Sequence, residues 1–301
     1  MLYRLTCLRG YLSGLLLVMG IAGCSVSDPA EVPKEPSPPT DGLSAALSFH
    51  ASFDQGPTAD FARGDSQIYT APKYDQLDQA SPGIDAPEVT IEANAGHIGS
   101  ALRFSRSYKR ALFYRTEKNL DYSTEDWAGT ISFWLNLDPD EDLESGYCDP
   151  IQVTDTAYND ASIWVDFSKD PPREFRLGVF GDLEVWNPQN ISPNDNPDFM
   201  GRLVSVKRPP FKRGSWTHIM ITWTGLNSPA GGTARLYLDG ENQGATEGIR
   251  EPFTWDLSAS TIRLGINYVG LFDELAVFDR ALGDEEVRTL HHLDSGIASL
   301  Y

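Results

Sequence analysis

Beyond residue 46, apolar and polar side chains alternate with a period of two. Leu47-Ser48-Phe49-His50-Ala51-Ser52-Phe53-Asp54 opens the series. Ile131, Phe133, Leu135 and Leu137 alternate with Thr130, Ser132, Trp134 and Asn136, and Ala161, Ile163, Val165 and Phe167 with Ser162, Trp164 and Asp166. The same holds for Phe175, Leu177 and Val179, and for Ile219, Ile221 and Trp223. In each run one face is apolar, the signature of strands that bury one side. Leu236-Tyr237-Leu238-Asp239-Gly240 predicts a strand entering a tight turn. Residues 284–290 predict the one clear helix, with Asp284 as its cap and acids at its positive end. Many strands with hardly any helix predict an all-β, antiparallel two-sheet sandwich.

Three long polar connections, residues 54–89, 138–160 and 187–199, interrupt the strands, and loops of that length often carry function. The first 23 residues read as a signal peptide: Arg4 and Arg9 precede a short apolar run from Tyr11 to Ala22, and no acid appears before Asp28. Residues 24–44, with Pro29, Pro33, Pro36, Pro38 and Pro39, form a tether of polyproline character, leaving 45–301 as one folded domain. A 301-residue chain, 41% hydrophobic and 22% charged, has the composition of a globular protein with a sizeable core. Its formal net charge of −19 argues against nucleic acid and anionic lipid surfaces as partners. Of three cysteines, Cys7 leaves with the signal, and Cys148 is expected to be an idle thiol.

Two resemblances add to this. Ile21-Ala22-Gly23-Cys24 resembles the lipobox of bacterial lipoproteins, which implies cleavage before Cys24, lipidation of its thiol, and an envelope protein anchored in the outer membrane, as Ser25 favours. Four blocks, in order, resemble the laminin G-like jelly roll of the concanavalin A-like lectin/glucanase superfamily. They are Gly96-His97-Ile98-Gly99-Ser100-Ala101-Leu102-Arg103-Phe104, Gly129-Thr130-Ile131-Ser132-Phe133-Trp134-Leu135, Trp216-Thr217-His218-Ile219 with Ala234 to Gly240, and Leu264 to Leu282. The resemblance spans about residues 47–293 and implies a jelly-roll sandwich closed by a short C-terminal helix. Residues 123–212 depart from the family pattern.

The resemblance also raises structural calcium, with Asp54 and Asp273 as candidate ligands if the first and last strands pair. Trp134 and Trp164 are out of phase with the core positions of their strands, and so face outward with Asp166, Arg176 and Tyr237. Aromatic faces beside polar groups suit sugar rings, so these five are the candidate ligand-binding residues. No catalytic constellation is legible: no strand carries the paired glutamates of the superfamily's glucanases, and the histidines lack zinc spacing. The expected function is a lipid-anchored module that binds a glycan or an extracellular protein. The alternatives are a polysaccharide-active enzyme of the same fold and a scaffold lipoprotein.

Overall fold

The computed structural model describes residues 40–301. The signal peptide, Cys24 and nearly all of the tether lie outside them. The described chain is a sandwich of two antiparallel sheets. One sheet runs, in order, Glu241–Ile249, Gly232–Leu238, Thr217–Leu226, Trp127–Asn136, Gly270–Phe278, Leu47–Ala51 and Phe61–Ala62, with Ala101–Phe104 and Val89–Glu92 added beside Gly270–Phe278. The other runs Val204–Val206, Phe175–Phe180, Ser162–Phe167, Cys148–Thr154, Thr261–Ile266, Ala111–Arg115, Ile68–Ala71 and Ser81–Pro82. The first and last long strands pair, Phe49 opposite Val277 and Ala51 opposite Leu275, so the chain closes on itself.

The alternation in the sequence is the alternation of the sheets. Ile131, Phe133, Leu135, Ile163, Val165 and Ile221 all point between the sheets into one continuous core. Trp127, Trp223, Trp255 and Phe253 close one end of it with edge-to-face contacts at 4.8–5.8 Å.

The outer face of the first sheet is covered. The helix Asp284–His291 and the tail turn Ile297–Leu300 lay Val287, Leu290, Ile297 and Leu300 over Met220, Ala276 and Phe278. A short helix, Asp41–Ala46, overlaps the end of the expected tether, because Leu43 and Ala46 join this same apolar cluster. The helix Asp284–His291 starts differently from the sequence expectation. Gly283 is its N-cap, and Glu286 reaches back to accept the Gly283 N–H at 3.0 Å. Asp284 instead accepts the Tyr237 hydroxyl at 2.8 Å, tying the helix to the sheet.

The outer face of the second sheet is only partly covered. There the loop around residues 155–160 and the short helices Leu183–Trp186 and Pro197–Arg202 leave a hollow beside them.

Candidate functional site

Three of the five candidate ligand residues meet in one place. Trp164, Asp166 and Arg176 line a pocket of about 400 Å3 on the outer face of the second sheet. Strand register explains this. Gln152, Trp164 and Gly178 lie directly opposite one another on three adjacent strands, with Arg263 opposite Gln152 on a fourth. One step along, Asp166 faces Arg176. Period-two alternation puts all of these on the side away from the core.

The indole of Trp164 lies across Gly178, where any Cβ would overlap the ring. Its Nε1 donates to the Tyr158 carbonyl at 2.6 Å. Phe180 and Phe199 stack at 4.7 Å and, with Trp164, make an aromatic slab that is 4% exposed or less. Phe199 comes from the proline-rich loop, where Asn196 caps the helix Pro197–Arg202 through the Asp198 and Phe199 amides. Asn187 and Ile191 exchange side-chain-to-backbone bonds that fix the approach to Ser192 and Pro193 on the pocket wall.

The floor is polar and largely buried. Arg176 donates from Nε to Asp166 Oδ1 at 2.7 Å and from Nη2 to Asp166 Oδ2, and both residues are at most 6% exposed. The Tyr147 ring lies 4.9 Å from the Arg176 guanidinium carbon, a cation–π contact. Asp149 accepts from Gln152 Nε2 at 2.8 Å, and Gln152 Oε1 accepts from Arg263 Nη1 at 2.9 Å. Burial, followed by the neighbouring Asp166, pushes the Asp149 carboxyl well above the usual carboxylate range. Burial also raises Asp166, against the pull of Arg176. Tyr147 and Tyr158 line the same pocket and, at 38% and 40% exposed, are its most accessible aromatic residues.

Sequence reasoning missed Tyr147, Asp149, Tyr158 and Phe199. The tyrosines and Phe199 lie on connections without periodicity, whereas Asp149 sits in the strand Cys148–Thr154, which Pro150 disguises. Pro150 falls opposite Gly265, between the paired positions Asp149–Ile266 and Ile151–Leu264.

Trp134 and Tyr237 do not join the pocket. Both lie on the outer face of the other sheet, beneath the C-terminal helix, at 8% and 2% exposure. Trp134 is stacked among His97 at 3.6 Å, His218 at 4.6 Å and His291 at 5.5 Å. Outward phase tells which side of its own sheet a residue takes, and says nothing of which sheet or of what covers it.

Asp54 and Asp273 flank one loop. Asp54 Oδ1 accepts the Ser100 amide at 2.6 Å, and Asp273 accepts the Ile98 and Glu274 amides at 3.2 and 2.9 Å. At Gly96, a Cβ would run into the carbonyl oxygens of Ile98 and Ser100 and come within 2.8 Å of Asp273 Oδ2, so these three oxygens converge. Asp273 is fully buried beside Glu274, and burial pushes its carboxyl up to about 8. An oxygen-only donor set around a buried carboxylate fits a hard cation such as calcium. Cys148 is buried and unpaired, and burial raises its thiol well above the usual range, in keeping with an inert side chain.

Residues 115–288 match the Laminin_G_3 family model of the concanavalin A-like lectin/glucanases superfamily. No curated protein sequence matches the chain. Among solved structures, domain 4 of AbnA, a GH43 extracellular arabinanase from Geobacillus stearothermophilus in complex with arabinotriose, aligns with a TM-score of 0.50 at 15% identity. That alignment covers 81% of this chain and 97% of the domain. The binding domain of botulinum neurotoxin DC in complex with SialylT aligns with a TM-score of 0.51 at 10% identity, over 86% of this chain and 52% of that one, so this chain spans about half of it. At such identities the structural likeness shows a shared fold. Together with the family match over more than half of its length, the two-sheet jelly roll places this chain in the concanavalin A-like lectin/glucanases superfamily.

Proposed function

We propose that this domain is a carbohydrate-binding module whose ligand occupies the pocket over Trp164, Asp166 and Arg176. The observation that carries the reading is the pocket itself: two solvent-open tyrosines above a buried floor of carboxyl, amide and guanidinium groups. Sugar rings present C–H faces to aromatic rings and hydroxyls to such polar groups. The arabinotriose bound to one structural neighbour and the SialylT bound to another agree with this reading. An extracellular protein partner is the competing binding reading. Full-length protein on a glycan array is expected to retain at least one oligosaccharide, and Tyr158→Ala is expected to weaken that binding about tenfold, since one aromatic contact contributes roughly 1 kcal/mol or slightly more. An array with no retained glycan refutes the proposal and favours a protein ligand.

The enzyme alternative gains one observation, Asp149 beside Asp166 in a pocket. A glycosidase needs two carboxyl groups that reach the scissile bond. Asp166 is 4% exposed with both oxygens bonded to Arg176, so it is poorly placed as a nucleophile or base. Binding is the reading the geometry favours.

Calcium would be held by Asp273 with the carbonyl oxygens of Ile98 and Ser100, and Asp54 beside them. The ion would neutralise a buried carboxylate and pin the first strand to the last. At a calcium concentration near 100 times the dissociation constant, stabilisation is about 2.7 kcal/mol. That is a rise of roughly 5–10 °C in melting temperature over EDTA for a domain of this size. Asp273→Asn should abolish the increment, and identical melting in calcium and EDTA rules the ion out.

The lipid anchor at Cys24 would hold the module at the bacterial envelope, on the outer membrane. Metabolic labelling with radioactive palmitate should mark the wild type and not Cys24→Ser, and label persisting in the variant sinks this placement.

A further inference from the structure

We infer that the pocket selects the uncharged end unit of a neutral glycan and rejects acidic sugars. The inference rests on the glycan reading above and narrows it to a substrate class.

The charges of the pocket lead there. Among the described residues that line it, Arg176 is the single cation, against two acids, Asp149 and Asp166. A sugar carboxylate, as in a uronate or a sialate, is best met by an arginine offering two parallel N–H donors. The Nε and Nη2 of Arg176 are both given to Asp166. Arg263, the next guanidinium, has all three nitrogens engaged: Nε with Thr261, Nη1 with Gln152 and Nη2 with the Thr156 carbonyl. It is 3% exposed, with its guanidinium carbon 4.5 Å from the Tyr74 ring centre. An acidic sugar entering here would bury a carboxylate beside the already balanced Asp166–Arg176 pair, with no further cation among the described lining residues to receive it. The chain as a whole, at −19, repels it before it arrives.

Neutral hydroxyls meet no such penalty. Burial and Asp166 hold Asp149 toward its neutral form, in which a carboxyl both donates and accepts. Ser192 adds a hydroxyl from the wall. Hydroxyls likewise donate and accept, so this mixed set suits a polyol. Size sets the remaining limit. At about 400 Å3 the pocket stands at the small end of the roughly 300–1,000 Å3 typical of small-molecule sites. It has room for one or two sugar rings, the end of a chain rather than its run.

Isothermal titration of the full-length protein with neutral trisaccharides (arabinotriose, xylotriose, mannotriose) against trigalacturonate, sialyllactose and the glucosamine trimer tests this. At least one neutral trisaccharide should bind tenfold or more tightly than either acidic sugar, and its hexamer within about threefold of the trimer. Asp149→Lys, checked for folding by its melting curve, should raise trigalacturonate affinity about tenfold, because it adds to the pocket a cation that Asp166 does not already balance. An acidic sugar that matches the neutral ones overturns the inference while leaving the glycan reading standing. So does a glucosamine trimer bound tenfold better than every neutral sugar, or a hexamer bound far better than its trimer. If no sugar of any charge binds, both fall together.

Discussion

Gly178→Ala is expected to lower the melting temperature by about 2–12 °C and to weaken glycan binding at least tenfold. The new methyl has no room, because the Trp164 indole lies directly over the Gly178 α-carbon. Overpacking of this kind costs about 1–3 kcal/mol, and each kcal/mol shifts a domain of this size by roughly 2–4 °C. Relief comes only by lifting Trp164. That strains its 2.6 Å bond to the Tyr158 carbonyl and unseats its contact with Phe199 at 6.2 Å. The same movement carries off one wall of the pocket, so stability and binding should fall together. Gly201→Ala is the control. No atom lies within 4 Å of its added Cβ, and it sits in the helix Pro197–Arg202, where alanine is favoured. Gly178→Ala melting within 2 °C of wild type would show that the close approach is not real.

Gly178 also shows how far the sequence reaches. Alternation in Phe175–Phe180 and Ser162–Phe167 is enough to put Trp164, Asp166 and Arg176 on one face, because side chains on a strand repeat every second residue. It is not enough to pair Trp164 with Gly178, which depends on strand register. The same limit misled the expectation for Trp134 and Tyr237. Their phase is outward, as read, but the cover over their sheet is a helix some fifty residues beyond Tyr237. Tyr147 and Tyr158, the most exposed rings of the pocket, come from connections with no period to read, and Asp149 from a strand whose proline argues against a strand. The jelly roll was legible because every strand repeats one rule. The site was half legible, because half of it stands on the strands.

The two outer faces are used differently for a physical reason. The first sheet carries Met220, Ala276 and Phe278 outward, and the C-terminal helix and tail bury them. The second carries Gln152, Asp166, Arg176 and Arg263 outward, a row that no apolar helix would cover without stranding charge. Short loops with Trp186 and Phe199 roof one part of this face, Tyr74 and Leu77 cover another over Ala111 and Phe113, and the stretch of Gln152, Asp166 and Arg176 becomes the pocket floor.

Arg176→Met should be the most damaging change in that floor. The Asp166–Arg176 pair is nearly inaccessible, so solvent does not screen it. Removing one partner of a buried pair costs about 3–5 kcal/mol, because the other charge is left without compensation, whereas replacing both with apolar groups is often close to neutral. Arg176→Met is therefore expected to lower the melting temperature by roughly 6–20 °C, and Asp166→Leu combined with Arg176→Met to recover most of the loss. The defect should depend on pH in a definite sense. Burial already holds the Asp166 carboxyl above its unfolded value, and Arg176 pulls it down. Without Arg176 it rises further, so above about pH 4, the ordinary aspartate range, the folded variant binds more protons than the unfolded chain. Stability then falls as pH rises, and the gap between wild type and Arg176→Met should be smaller at pH 4.5 than at pH 7.5. A gap of equal size at both values would mean that Asp166 is not the stranded charge, and a double variant as unstable as the single one would mean that the cost lies in packing rather than in the pair.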